Sequence, residues 1–73
     1  MRRYKPEDFE AELLRRGCTK IEGESDVNGT YWRYKGKAFQ VPNPDRSNPG
    51  DPRYDDFILD DLLQMHGLPA QPN

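Results

Sequence analysis

Residues 42–53, Pro-Asn-Pro-Asp-Arg-Ser-Asn-Pro-Gly-Asp-Pro-Arg, hold four of the seven prolines in a chain of 73 residues. Proline locks φ and carries no backbone N–H, so neither a helix nor a central strand can run through this stretch. The segment is too short to separate two domains. It is a stiff crossover inside one domain spanning residues 1–73, with room after it for a single further helix.

The composition sets what that domain can use as a core. Leu, Ile, Val and Phe together number only thirteen, a proportion typical of disordered chains. Against this stand eight aromatic residues and a net charge of only −2. Each aromatic side chain can bury roughly 150–250 Å². The expectation is a folded domain with an aromatic core, ordered over about residues 6–68 and ending in a tail at 69–73. A chain of this length buries only about 60% of the surface that its unfolded state exposes.

Several function classes fall away at once. The one cysteine, Cys18, has no partner for an intramolecular disulfide, and there is no apolar run long enough for a signal peptide or a membrane span. A reducing, cytoplasmic home with no membrane association is expected. One His and one Cys are too few for a zinc site of those ligands. Neighbouring Asp residues on a helix point about 100° apart and lack a third oxygen ligand. No metal and no cofactor are therefore expected. Asn28-Gly29-Thr30 matches a glycosylation acceptor, but without a secretory signal it reads as a turn.

The pattern predicts five elements. A helix runs from Pro6 to Arg16, with proline at its start, Glu7 and Asp8 against the positive end of its dipole, and Gly17 ending it. Phe9 and Leu13 form its apolar stripe, while Glu12, Arg15 and Arg16 face away. Strands follow over Cys18–Glu22, Thr30–Lys35 and Lys37–Val41, the last two joined at Lys35-Gly36. From Tyr54 to His66 an amphipathic helix turns Ile58, Leu59, Leu62, Leu63 and Met65 to one side and Asp60, Asp61 and Gln64 to the other, with Gly67 and Pro69 marking its end.

The resulting α+β domain is αβββα, a three-stranded antiparallel sheet with two helices packed on one face. Its predicted core is Phe9, Leu13, Ile21, Trp32, Tyr34, Phe39, Val41, Ile58, Leu62 and Met65. The other sheet face stays wet and shows Lys20, Tyr31, Arg33 and Gln40.

A short first helix ending in glycine, a hairpin carrying Gly-Thr-Tyr-Trp-Arg-Tyr, a Val-Pro closing the third strand and a last helix ending in Gly-Leu together resemble the HicA toxins. The resemblance covers roughly residues 6–68. It implies a fold akin to the double-stranded RNA-binding domain, an mRNA interferase activity, and the RNA and antitoxin partners of a toxin–antitoxin module. The family opens its second strand with Gly-Ser-His and uses that His in catalysis. Here Gly29-Thr30-Tyr31 puts Tyr31 at that position. A phenol with a pKa near 10 is a poor proton-transfer group at pH 7, so no catalytic residue is assigned and RNA binding without efficient cleavage is expected. The loop before this motif is longer than the family shows. The pI of about 5.3 is also low for proteins that tend to be basic.

Charge is divided between the halves, +2 over residues 1–37 and −4 over 38–73, and two candidate surfaces follow. Lys20, Tyr31, Arg33, Lys35, Lys37 and Gln40 could hold phosphates and stack a base, or serve solubility and edge protection. Asp51, Asp55, Asp56, Asp60 and Asp61 could meet a basic protein partner, or simply match the helix dipole and coat a solvated face. His66 falls within the apolar arc and reads as a partly buried structural residue. Association into a homodimer would bury more surface than so small a chain can bury alone.

Overall fold

The computed structural model describes residues 3–26 and 29–70. Strand β1 (Arg3–Tyr4) leads into helix α1 (Pro6–Arg15), then β2 (Thr19–Asp26), β3 (Gly29–Tyr34) and β4 (Lys37–Pro42), and finally β5 (Tyr54–Asp55) and helix α2 (Asp56–His66). The main sheet is antiparallel in the order β2-β3-β4, and β1 pairs with β5 in a second, two-stranded sheet. This is the expected α+β arrangement, with both helices on one face of three strands. Asn28 of the expected turn and residues 71–73 of the expected tail lie outside the described residues.

The local signals act as their chemistry requires. Proline opens α1 with Glu7 and Asp8 in its first turn, and Gly67 caps α2. Lys35 and Gly36 both take positive φ, 50° and 80°. A two-residue turn of that hand matches the twist of the strands it joins, and the register runs unbroken from Tyr34↔Lys37 to Gly29↔Pro42.

The core joins Phe9 and Leu13 of α1, Trp32, Phe39 and Val41 of the sheet, and Leu59 and Leu62 of α2. Trp32 is 1% exposed, and its indole N–H donates to the Thr30 hydroxyl at 3.3 Å. Tyr54 stacks on Phe9 at 4.0 Å between ring centroids, with Tyr4 edge-on to Phe9 at 6.1 Å. Three aromatic rings thus seal the end of the core where β1 and β5 meet. Tyr54 also donates its hydroxyl to the Pro42 carbonyl at 2.7 Å, fastening the far end of the crossover to the end of β4.

Several sequence expectations are corrected. Met65 is 73% exposed and not core, because α2 seats only its Leu59–Leu62 side on the sheet and Met65 falls on the rim of the apolar arc. Ile21 is half-buried, and Cys18 is buried in its place. Lys20, not Ile21, lies across from Trp32, through a register shift between Lys20 and Ser25. Arg16 does not face away: it is 6% exposed. Its guanidinium donates to the Glu12 carbonyl and carboxylate and to the carbonyls of Pro69 and Ala70. That contact fixes the first two residues of the expected tail. The crossover is also not wholly unpaired, since Asp45 and Arg53 exchange backbone hydrogen bonds at 2.7 and 3.0 Å.

Candidate nucleic-acid interface

Directly paired residues of an antiparallel sheet project to the same side, so the register assigns each candidate to a face. Lys20, Trp32 and Phe39 form one row, and Tyr34 and Lys37 another, on the side that carries the helices. Thr19, Arg33 and Ala38 form a row on the opposite side, with Tyr31 and Gln40 beside it. The face away from the helices therefore presents Tyr31, Arg33 and Gln40, with Arg33 exposed and the other two half-buried.

Lys20 is the correction here. It lies on the helix side and pairs with Glu10 of α1 at 3.4 Å. Lys37 points to the same side, into a cleft of about 250 Å³ that it shares with Tyr34, Phe39, Met65, His66 and Gly67. Lys35 sits in the hairpin turn, its ammonium 5.4 Å from the centre of the Tyr34 ring. Of the four basic candidates, Arg33 alone belongs to the open face, while Lys35 leans from the turn over the Tyr34 ring, on the helix side.

The acidic candidates are largely consumed within the fold. Arg3 holds Asp45 at 2.8 Å and Asp55 at 2.9 Å, and Arg53 holds Asp51 at 2.9 Å. The backbone N–H of Ser47 is the main reason the Asp45 carboxyl titrates below the usual range. Asp56 also has a partner. Asp60 and Asp61 remain exposed on α2, outside the ion pairs found among the described residues.

Among the described residues the candidate proton-transfer groups are not brought together. His66 stacks on Phe39 at 4.4 Å from the helix side, while Tyr31 projects from the opposite face, so the two cannot act as an acid/base pair. Burial pushes the Cys18 thiol up, opposed in part by the charge of Arg16, and a buried neutral thiol is an inert nucleophile. No group of three or more metal-ligating side chains occurs among the described residues. No helix there is long and apolar enough to cross a membrane. Strand alternation in the sequence assigns Tyr31, Arg33 and Gln40 to this face, where the register places them, but the displacement of Lys20 carries no sequence signal, because it follows from a local register shift.

Comparison with protein-family models, with curated proteins and with solved structures finds no match to this chain.

Proposed function

We propose that the chain is a HicA-like domain of toxin–antitoxin type, working in a reducing cytoplasm, that associates with RNA through its open sheet face and does not cut efficiently. The observation that carries this reading is the cluster of Tyr31, Arg33 and Gln40 on the one sheet face that neither helix covers. An aromatic ring stacks on an unpaired base, a guanidinium grips phosphate in a bidentate fork, and an amide matches base edges. The αβββα order is the one the family resemblance implies. Tyr31 in place of a histidine removes the proton-transfer group and keeps a stacking surface.

With Arg33 as the one basic side chain on this face, binding is weak and only modestly salt-dependent. Each phosphate contact to a single strand contributes a slope of about −0.7 in log K against log salt. The test is fluorescence anisotropy on labelled single-stranded and hairpin RNA, with RNA length followed in the same samples. The expected result is a dissociation constant within about 10⁻⁴–10⁻⁶ M at physiological salt and no shortening of the RNA. The double variant Tyr31→Ala, Arg33→Ala should weaken binding by about tenfold or more, while Lys20→Ala leaves it unchanged. Equal loss from Lys20→Ala, or no binding at all, would overturn the reading.

One observation favours a second reading, in which α2 engages a basic antitoxin-like or inhibited protein: Asp60 and Asp61 are exposed where Asp51 and Asp55 are neutralised. Asp60→Asn with Asp61→Asn would then abolish a salt-sensitive protein complex and leave RNA binding intact.

A further inference from the structure

Helix α2 carries apolar surface that the core does not use. Phe57 is 50% exposed and Met65 73% exposed. With Asp61 they fall at i, i+4 and i+8, so the three make one continuous stripe along α2. Beside this stripe lies β4, an outer strand of the sheet. Two clefts open between them, one bordered by Lys37, Phe39 and Gly67, the other by Gln40 at the edge of β4 and by Pro42, Ile58, Asp61 and Leu62. Met65 and His66 line both. They form one groove, basic at its Lys37 end, acidic at its Asp61 end and apolar between.

Neither Lys37 nor Asp61 has an ion pair among the described residues. A surface that is positive at one end, negative at the other and apolar at its centre is complementary to itself under a two-fold rotation, the commonest symmetry of soluble oligomers. We propose that this groove is the interface of a homodimer, its two-fold axis passing near Met65, with Lys37 of each copy facing Asp61 of the other. The exposed Met65 side chains of the two copies and the apolar groove walls beside them cover each other, adding the buried surface that a 73-residue chain is short of. The proposal does not rest on the RNA reading: Tyr31 and Arg33 face away from both helices, Gln40 alone borders both surfaces, and self-association is measured without RNA.

Sedimentation velocity of the full chain across a concentration series tests it. The wild type is expected to dimerise in the micromolar range, more weakly as salt rises. Lys37→Glu sets carboxylate against carboxylate at both ends of the interface, and Asp61→Lys sets ammonium against ammonium. Each variant alone should therefore dimerise more than about tenfold less tightly. Mixed in equal amounts, the two variants restore both opposite-charge contacts and should recover the dimer. Both sites are exposed and outside the ion pairs found among the described residues, so circular dichroism should show both variants folded. A wild type that stays monomeric throughout would leave the groove to a different protein and overturn the proposal. So would a mixture no more associated than either variant alone.

Discussion

A β-carbon on Gly29 would sit 1.9 Å from the carbonyl oxygen of Val41 on the neighbouring strand, and φ at this position is +149°. Both facts exclude a side chain, and the obstacle is backbone that cannot move without parting β3 from β4. The glycine that opens the Gly-Thr-Tyr motif is therefore fixed by sheet geometry, whatever the motif does. Gly29→Ala is expected to lower stability by at least about 2 kcal/mol, measured as a shift in urea midpoint. At the same scale, Trp32 and Phe9 were legible as core from strand parity and helix spacing. Tyr54 was not, because it follows a proline-rich run and its burial depends on a stack with Phe9 more than forty positions earlier. Cys18 is absent from the core that alternation predicts, and the register that turns Lys20 to the helix side brings Cys18, two positions before it, inward as well.

Among the elements, the helices were legible in place and imperfectly in orientation. The apolar arc of α2 is wider than the surface available to it, so Leu59 and Leu62 are buried while Met65 at the rim is exposed. A helical wheel states which residues could face inward, and the width of the partner decides how many do. For β2, the register advances from Lys20↔Trp32 to Ser25↔Thr30, five steps on one strand against two on the other. Such a shift changes which residues stand opposite the core face of β3, and alternation alone cannot reveal it. Arg16 links the elements most directly. From the end of α1 it reaches the carbonyls of Pro69 and Ala70, just after α2. Arg16→Met retains much of the stem but loses every one of these charge-assisted bonds. It should cost on the order of 2–3 kcal/mol by chemical denaturation, and should raise hydrogen exchange around residues 67–70 first. Arg16→Lys should recover only part of this, since an ammonium cannot span the same fork of acceptors.

For the molecule as a whole, the Tyr54 hydroxyl joins the crossover to the sheet, and its titration reports on the integrity of the fold. Burial is the main cause that pushes the phenol up to about 12, with the Glu10 carboxylate adding to it and Arg46 opposing. An unfolded tyrosine ionises near pH 10. The folded state thus holds this proton more tightly, and the stability it contributes is complete below about pH 10 and lost as pH rises towards 12. The urea midpoint of the wild type should fall over that interval. Tyr54→Phe should start lower, having lost the bond to Pro42, and should fall much less steeply.

The sequence by itself determined the order of the two helices and three main strands, the α+β class, the hairpin turn and the aromatic character of the core, but not the short β1–β5 sheet, whose two strands lie some fifty positions apart. Each of these depends on residues close together in the chain: prolines that forbid a ladder, glycines that accept positive φ, and apolar spacing of two or of 3.6. Only the tertiary structure decided which of the candidate charges are available to a partner. Lys20 is spent on Glu10, Asp55 on Arg3 and Asp51 on Arg53, whereas Arg33, Lys37, Asp60 and Asp61 remain outside those ion pairs. Pairing of that kind depends on which surfaces the fold brings within a few ångströms of each other, and distances across the fold are not encoded in the spacing of residues along the chain.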